Sequence, residues 1–331
     1  MPRGRAHPRV ADMATLRHAD LLRHLAAEHG LHVSAVEELD KDVLHVSARG
    51  ERERIVRVFP AQRPLAAVEG DAEILRLLAE DGYPAERPDA HPVSVVAGRP
   101  LLVTEYVVPV PRSERREAIR DAGGLRELGR MLAGLQLLTP RGAMTRPGGA
   151  WHHFVEGRPA DELAAASRFL EGAGTDDAAS LDTLRRELAE ADAGDGLPEA
   201  FLHPDFVLPN VVAAADGGIV LVDWTGAGVG PRIWPLAFLL WAEGVKDPRR
   251  AALVAAGYRE RIALEPAELD RLPAMMRARH LVFLAWNLRA RRTDPRKAAV
   301  SALRNRAATD AVAAQVIGIL GAPLPPGDPR T

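Results

Sequence analysis

The chain changes texture near residue 108, and this change restricts its fold more than any other feature. Residues 33–108 are rich in β-branched runs divided by turns, whereas the pattern from 109 onward is mainly helical. VLHVSARGERERIVRVF predicts two strands joined by an Arg-Gly turn, and PVSVVAGRPLLVTEYVV predicts a second hairpin that turns at Gly98. The sequence therefore predicts an α+β protein in which a sheet lobe precedes a helical lobe.

Helical patterns complete both lobes. TLRHADLLRHLAAEHG predicts a helix before the strands, and AAVEGDAEILRLLAEDG predicts one between the two hairpins. GLRELGRMLAGLQLL places leucines at steps of three or four and so predicts an apolar stripe in the second lobe. We expect a disordered arm over 1–13, an N-lobe over 14–108, a helical C-lobe over 109–321 and a disordered tail over 322–331.

Composition excludes several classes of function. The chain has no cysteine, which excludes disulfides, thiolate catalysis and cysteine-based metal sites. The formal net charge of −2 gives no reason to expect a nucleic-acid or membrane partner. No apolar run approaches the length of about 18 residues that a membrane span needs. We therefore expect a cytoplasmic protein without a nucleic-acid or membrane partner, and its oligomeric state is left open.

One β-hairpin interrupts the helical part of the chain. VVAAA and GIVLVD are strand-like, and the DGG between them is a strong turn signal. A hairpin brings its outer ends together, so Asn210 and Asp223 should be neighbours although 13 positions separate them. Asp205 lies five residues before Asn210. The sequence therefore predicts two carboxylates and one amide at one end of a small sheet.

This set of side chains suits phosphoryl transfer. Mg²⁺ prefers oxygen ligands, and one or two protein oxygens usually hold it together with phosphates and water. An amide and a carboxylate can supply those oxygens, while Asp205 can accept a proton from a hydroxyl nucleophile or orient it. Protein kinases transfer phosphoryl groups with a catalytic Asp, an Asn a few residues later and a metal-binding Asp after a hairpin.

The motif resembles that of a known family. His203-Pro204-Asp205 followed by Asn210 resembles the His-Gly-Asp…Asn signature of aminoglycoside phosphotransferase-like kinases, and VDWTGAGVGP resembles their Asp-Trp segment. The resemblance covers most of the chain. It implies a two-lobed protein-kinase-like (choline-kinase-like) fold, with a small antiparallel-sheet N-lobe plus one helix and a larger, mainly helical C-lobe that carries an inserted catalytic hairpin.

The resemblance also implies an activity. It points to a kinase that depends on ATP or GTP and on Mg²⁺, and that acts on a hydroxyl of an aminoglycoside-like antibiotic, a sugar or an amino alcohol. Asp205 would be the catalytic base or would orient the acceptor hydroxyl, and His203 would support the loop. Asn210 and Asp223 would hold Mg²⁺.

On the nucleotide side, the resemblance implies five further residues. Arg57 in RIVRVF stands where the family has a strand Lys or Arg that contacts the phosphates. Asp71 would be its partner, because a helical wheel places it on the apolar face of the following helix. LLVTEYVV resembles the strand that leads to the adenine-binding linker, so the backbone near Glu105, Tyr106 and Val107 would bind adenine.

Several positions depart from the family pattern. Pro204 replaces the Gly that usually follows the His, Asp71 replaces a Glu, Pro235 stands where an Asp is often found, and Gln136 stands where a His is common. DKDVLHV contains no Gly- or Ser-rich phosphate loop. These departures motivate an alternative, a non-catalytic kinase-like protein (a pseudokinase) that binds nucleotide or another ligand. A third hypothesis is a kinase that acts on a protein side chain.

Other patterns indicate no second site. His152 and His153 are adjacent, and adjacent side chains diverge on a helix or a strand, which argues against a metal site. GAGVG resembles part of a dinucleotide fingerprint, but Pro231 stands where the last Gly is needed, so we interpret it as a turn into a helix. Acids outnumber bases in residues 151–200, and bases outnumber acids in 243–306. The charge pattern therefore leaves the acceptor open.

Overall fold

The computed structural model describes residues 18–323 with the exception of 49, 51, 112, 113, 115–118, 120, 175 and 176. The arm predicted for residues 1–13 and most of the tail predicted for 322–331 lie outside the described residues. The chain divides into two compact units. One unit combines Met1–Ala72 with Arg87–Tyr106, and the other combines Glu73–Glu86 with Val107–Thr331. The predicted lobe boundary at 108 and 109 stays a prediction.

An antiparallel sheet of five strands forms most of the first unit, in the order β1-β2-β3-β5-β4. The strands are β1 (Val33–Asp40), β2 (Val43–Ala48), β3 (Arg54–Val58), β4 (Pro88–Val96) and β5 (Arg99–Glu105). Helix α1 (His18–His29) precedes the sheet, and helix α2 (Leu65–Glu80) begins in this unit and ends in the second. Both predicted hairpins are present, and β1 adds a strand that was not predicted separately.

Alternation along the strands builds the core of the first unit. Side chains two residues apart share a face of a strand, so Val56 and Val58 of β3 are both buried. They belong to one apolar cluster with Leu21 and Leu25 of α1. Arg57 lies between the two valines and therefore belongs to the opposite face of the sheet.

Seven helices carry the second unit within the described residues. They are α3 (Ala122–Gln136), α4 (Pro159–Gly172), α5 (Ala178–Ala189), α6 (Ile233–Gly244), α7 (Pro248–Arg259), α8 (Pro266–Arg289) and α9 (Pro295–Leu320). Four of them begin at a proline, whose fixed φ suits the first helical position. None of the helices in the described ranges has the length and apolarity needed to span a bilayer.

Two glycines allow α3 and α7 to pack at backbone contact. A Cβ at Gly257 would lie 1.9 Å from the carbonyl oxygen of Arg126, and a Cβ at Gly129 would lie 2.1 Å from that of Val254. Any side chain at either position would force the helices apart. The leucine stripe of α3 is accordingly buried at Leu125, as its spacing predicts.

Two short ribbons interrupt the helices. Strands β7 (Val211–Ala213) and β8 (Ile219–Leu221) form the predicted hairpin. Strands β6 (Glu199–Leu202) and β9 (Gly228–Pro231) pair antiparallel and were not predicted. The interpretation of GAGVG as a turn into a helix is wrong, because its second half is β9. A Cβ at Gly228 would lie 2.4 Å from the carbonyl oxygen of Arg146, so this glycine permits a close backbone approach.

Candidate active site

The loop after β6 is organised by a buried histidine. His203 is fully buried, and its Nδ1 accepts a hydrogen bond from the backbone N–H of Asp205 at 3.2 Å. Its Nε2 lies 3.1 Å from the carbonyl oxygen of Val222 and therefore carries the proton. Burial lowers the pKa of His203, although the charges of Asp223 and Asp205 oppose this shift. The imidazole is thus neutral and ties the loop to the end of β8.

Asp205 and Asn210 contact each other directly. The amide Nδ2 of Asn210 donates to the carbonyl oxygen of Asp205 at 2.9 Å and to its carboxylate Oδ2 at 3.0 Å. This bonding directs the amide nitrogen toward Asp205 and leaves the amide oxygen as an acceptor. The other carboxylate oxygen, Oδ1 of Asp205, has no hydrogen-bond partner among the described residues.

Asp223 follows β8 in an unusual backbone conformation. Its φ is +67°, in the left-handed region that non-glycine residues seldom adopt. Val222 donates its N–H to the carbonyl oxygen of Asn210 at 2.9 Å, so the two outer ends of the hairpin are adjacent, as expected. The N–H of Asp223 donates to Oε1 of the buried Glu86 at 2.9 Å. Such conformations concentrate at functional sites, where surrounding contacts hold them.

The sequence analysis missed Glu86. It lies just before β4, and its N–H donates to the carbonyl oxygen of Leu221 at 3.1 Å. Glu86 therefore contacts the end of the hairpin through both its backbone and its side chain, and the side chain holds the backbone N–H of Asp223. No local pattern marks this acid, because its partner lies 137 positions away.

The oxygen donors at the hairpin fit a hard divalent cation. No group of three or more His, Asp or Glu side chains suited to a metal ion occurs in the described part of the chain. An amide oxygen from Asn210 and a carboxylate from Asp223 nevertheless match the small number of protein ligands that Mg²⁺ takes when phosphates and water complete its shell. This donor set fits Mg²⁺ bound together with a nucleotide.

An arginine of α8 faces the loop at Asp205. Nη2 of Arg279 lies 3.8 Å from Oδ1 of Asp205, and its Nη1 lies 2.6 Å from Nε2 of His153. The guanidinium stands over the rings of Trp151 and Phe238, at 5.0 and 5.1 Å from their centroids. Burial lowers the pKa of Arg279, while Asp205 raises it. The sequence analysis missed this residue, because Arg277 and His280 stand beside it and no local pattern distinguishes it from them.

A buried acid shapes the loop that holds His153. Both carboxylate oxygens of Glu162 accept backbone N–H groups, from His152 at 2.9 Å, His153 at 2.8 Å and Phe154 at 3.1 Å. Burial raises the pKa of Glu162, and these hydrogen bonds oppose the rise. The indole N–H of Trp151 donates to the carbonyl oxygen of Pro204 at 2.9 Å, which connects this loop to the loop at Asp205.

The amino-acid sequence matches the model of the phosphotransferase enzyme family, APH, over residues 32–274. The chain belongs to this family. The homoserine kinase of Pseudomonas aeruginosa (strain UCBPP-PA14) is 28% identical over 217 residues, which are 62% of this chain and 64% of that relative. The homoserine kinase of Caulobacter sp. (strain K31) is 28% identical over 226 residues, 65% of this chain and 68% of that relative. The chain thus spans less than two thirds of the Pseudomonas relative.

Solved structures of the family share its fold. The amicoumacin kinase hAmiN, in complex with AMP-PNP, Ca²⁺ and Ami, has a TM-score of 0.62 at 17% identity and covers 89% of this chain and 93% of its own. Choline kinase LicA from Streptococcus pneumoniae has a TM-score of 0.55 at 15% identity and covers 89% and 98%. These findings confirm the predicted family, one of small-molecule phosphotransferases, and the predicted protein-kinase-like α+β fold.

Asp71, which the sequence analysis assigned to the phosphate site as the partner of Arg57, has a partner that was not predicted. Its Oδ2 accepts a hydrogen bond from Nη2 of Arg63 at 2.7 Å, and both side chains are buried. Arg57, the predicted partner, lies on β3 opposite Val43 and Leu102. The assignment of Arg57 and Asp71 to the phosphate site stays a prediction.

Two residues of the expected adenine-binding segment already donate their backbone N–H groups to other backbone carbonyl oxygens. The N–H of Glu105 donates to the carbonyl oxygen of Arg87 at 2.8 Å, and that of Tyr106 donates to Glu53 at 3.0 Å. The Tyr106 ring stacks on His45 with centroids 3.9 Å apart. These bonds leave Val107 as the residue of this segment whose N–H has no such partner among the described residues.

Two of the departures from the family motif, at Gln136 and at the turn between β1 and β2, have local explanations. Gln136 donates to the carbonyl oxygen of Arg232 and accepts from the hydroxyl of Tyr258, so it joins three elements of the second unit. In place of a Gly-rich loop, β1 and β2 meet in a tight turn at Lys41 and Asp42, where φ of Asp42 is +61°. Arg99 closes this turn with a salt bridge to Asp42 at 3.0 Å.

Proposed function

We propose that the protein is a kinase that transfers the γ-phosphoryl group of ATP or GTP to a hydroxyl of a small molecule, in the cytoplasm and with Mg²⁺. One observation carries this proposal. Asp205 is hydrogen-bonded to Asn210, and the backbone of Asn210 is bonded in turn to the residue before Asp223. The three residues that the phosphoryl-transfer motif requires are therefore held by one short segment and its hairpin.

Asp205 would accept the proton of the acceptor. Its side chain is 38% exposed, so the carboxylate can accept a hydrogen bond from the acceptor hydroxyl. As the hydroxyl oxygen bonds to the γ-phosphorus, the bond from that phosphorus to the β,γ-bridging oxygen breaks. The electron pair leaves with the nucleoside diphosphate, and the hydroxyl proton passes to Asp205. His203, held neutral by burial, keeps the loop in position and takes no proton itself.

Asn210 and Asp223 would hold the cation. Bound there with the nucleotide, Mg²⁺ supplies neutralisation of the phosphate charges. Glu86 would act as a positioning residue, since its carboxylate accepts the backbone N–H of Asp223. Arg57 would contact the phosphates, Asp71 would lie on the same side, and the segment from Glu105 to Val107 would bind adenine.

The names of the relatives suggest the size of the acceptor. Homoserine kinases and a choline kinase are among the proteins that the chain resembles, and their names indicate small alcohols as acceptors. Arg279 stands over the Trp151 ring and lies 3.8 Å from Asp205, so the surroundings of Asp205 combine an aromatic face with a charge, a combination suited to a small polar acceptor. We therefore favour a small alcohol over a polypeptide acceptor.

Nucleotide binding tests this proposal against the non-catalytic alternative. The melting temperature would be measured with ATP and with GTP, each with and without Mg²⁺, for the wild type and for Asp223→Ala. A ligand that binds only the folded state at about a hundredfold excess over Kd stabilises it by about 2.7 kcal/mol. We expect a Mg²⁺-dependent shift that Asp223→Ala removes. A shift that is independent of Mg²⁺, or none with either nucleotide, would favour the non-catalytic protein.

A further inference from the structure

The surroundings of Arg279 are unusual for a buried cation. Its side chain is 15% exposed, and three aromatic rings lie around the guanidinium. They belong to Trp151 in a loop, to Phe238 on α6 and to Phe283 on α8, whose centroid is 5.7 Å away. Aromatic faces attract a cation but do not satisfy its N–H donors. The position therefore holds a desolvated positive charge beside the catalytic carboxylate.

The hydrogen bonds of Arg279 are incomplete. A guanidinium has five N–H donors, and a carboxylate matches its fork with two parallel bonds. Among the described residues, the side chain of Arg279 hydrogen-bonds to His153, and its Nε has no partner. The distance of 3.8 Å to Asp205 is too long for a hydrogen bond, and Oδ1 of Asp205 also lacks one.

Asp205 pairs with Arg279 at 3.8 Å, and the other ionisable groups around the guanidinium are neutral or already hydrogen-bonded. His153 is neutral because burial, Arg279 and His152 lower its pKa to about 4. Glu162 uses both carboxylate oxygens to accept backbone N–H groups of the loop at 152–154. The carboxylate of Asp205 is required by the proposed reaction for the acceptor hydroxyl. An anion that bonds to Arg279 would complete the site.

The region is also open on one side. Phe283 is 41% exposed although it lies beside the guanidinium, and its ring is tilted against that of Trp286 at 5.8 Å. Ligand-binding sites are lined mainly by hydrophobic and aromatic side chains together with a few placed polar or charged groups. An acceptor can therefore approach Arg279 along an apolar surface.

We propose that Arg279 binds a carboxylate of the acceptor, so that the substrate is a short hydroxy acid whose hydroxyl reaches Asp205. This inference rests on the proposed kinase function and names the substrate class of the same site. The guanidinium and the carboxylate of Asp205 are adjacent, so the hydroxyl and carboxylate of the acceptor must be separated by only a few bonds. A polycationic antibiotic would place ammonium groups against a buried guanidinium, where the two would repel each other.

Three small alcohols separate the contributions of the two charges of an amino acid acceptor. Homoserine carries an amine and a carboxylate, 4-hydroxybutyrate carries the carboxylate alone, and 3-aminopropan-1-ol carries the amine alone. Their dissociation constants would be measured by calorimetry in the presence of Mg²⁺ and a non-hydrolysable ATP analogue. We expect both acids to bind at least tenfold more tightly than 3-aminopropan-1-ol.

Two substitutions and a control assign that preference to one side chain. Arg279→Met should abolish the tenfold preference, and Arg279→Lys should retain part of it, because a lysine keeps the charge without the fork. Arg289→Met is the matched control, since Arg289 is an exposed arginine on the same helix that stands over Phe154. It should leave the preference unchanged.

The outcomes separate this inference from the proposed kinase function. Equal or tighter binding of 3-aminopropan-1-ol, no binding of either acid, or an unchanged preference in Arg279→Met would overturn the assignment of Arg279. None of these results bears on the Mg²⁺-dependent nucleotide shift, which tests the kinase itself. If the acids bind through Arg279 but no nucleotide binds, the carboxylate site stands and the kinase function fails.

Discussion

Two buried arginine–aspartate pairs, one in each unit, differ in how completely they are bonded. Arg63 and Asp71 are hydrogen-bonded at 2.7 Å, with side chains 6% and 2% exposed. Arg279 and Asp205 approach only to 3.8 Å, with side chains 15% and 38% exposed. Both arginines stand over aromatic rings, so their surroundings are otherwise similar. We call the first pair closed, because its two side chains are hydrogen-bonded to each other, and the second open, because Oδ1 of Asp205 has no hydrogen-bond partner among the described residues.

The closed and the open pair differ in what each partner contributes to the stability of the fold. Breaking a closed buried pair leaves an uncompensated charge, so each partner depends on the other for the stability of the fold. An open pair is held by its surroundings instead, here by the aromatic rings around Arg279 and by the amide of Asn210 at Asp205. We infer that substitutions in the closed pair act on stability, and that substitutions in the open pair act on catalysis and acceptor binding.

The largest effect is expected at the open pair. Asp205→Asn removes the proposed acceptor of the hydroxyl proton but keeps the size of the side chain. Since general-base catalysis typically contributes about 10²–10⁴-fold, kcat should fall by at least that factor. A coupled assay of nucleoside diphosphate release would measure this loss, and the Mg²⁺-dependent nucleotide shift should persist.

Asp216→Asn provides the control for this substitution. Asp216 lies in the turn of the same hairpin, is exposed, and accepts the N–H of Gly218 at 3.1 Å. Its replacement should leave kcat within about twofold, because surface substitutions of this kind change the stability by about 0.5 kcal/mol or less. Normal turnover in Asp205→Asn would remove Asp205 from the chemistry.

The closed pair should show the largest effect on stability. Asp71→Ala leaves the guanidinium of Arg63 buried without its carboxylate, and the free energy of unfolding should fall by about 3–5 kcal/mol. Urea denaturation would measure it. Asp81→Ala is the control, because Asp81 pairs with Arg141 at 2.7 Å near the surface, where such a pair contributes about 1 kcal/mol or less. Equal losses in the two variants would contradict the distinction between buried and exposed pairs.

The same comparison shows how far local sequence patterns reach. The hairpin, with Asn210 and Asp223 at its outer ends, follows from alternation and from a turn signal a few residues long. Asp205 and Asn210 are five residues apart, so their contact is also local. Spacing along the chain therefore sufficed to predict this part of the candidate site, and the family matched by residues 32–274 is the one that these residues indicated.

Partners from distant segments were not predictable in this way. Glu86 reaches Asp223 and Arg279 reaches Asp205 because helices and strands pack in three dimensions, and no periodicity in one sequence encodes which residues meet. Arg63 was missed for a different reason. It is close to Asp71 along the chain, but it lies in the turn before α2, where helical spacing does not apply.

Glu86 adds a third buried carboxylate, one whose bond goes to a backbone N–H. Glu86→Ala leaves the N–H of Asp223 without its acceptor, and an unsatisfied buried donor lowers the free energy of unfolding by about 1–3 kcal/mol. Glu86→Gln keeps an oxygen that can accept this N–H, so it should lose less than Glu86→Ala. Chemical denaturation would rank the two variants. Because Asp223 is the proposed metal ligand, the concentration of Mg²⁺ needed for half-maximal turnover should rise in the same order.

The smallest effect concerns two histidines beside the open pair. Burial is the largest cause that lowers the pKa of both His153 and His280 from 6.5 to about 4, and Arg279 lowers both further. His152 adds to the shift of His153, and a hydrogen bond involving Ser301 opposes that of His280. Below pH 6.5 these two histidines become protonated in the unfolded chain, but in the folded chain they stay neutral until the pH approaches 4. The stability that these residues contribute is therefore present above pH 6.5 and is lost as the pH falls toward 4.

Partial exposure reduces this loss of stability to about 1 kcal/mol per histidine. Carboxylates titrate over the same pH range, so the loss is measured as a difference between the wild type and a variant without the two histidines. The free energy of unfolding would be measured from pH 7 to 4.5 for the wild type and for His153→Gln with His280→Gln. A glutamine oxygen can still accept the N–H of Arg279 but binds no proton in this range, so the double variant should lose less stability on acidification. Parallel profiles would mean that both histidines protonate freely in the folded protein. The guanidinium of Arg279 would then lie beside water and not within a dry, aromatic-walled site.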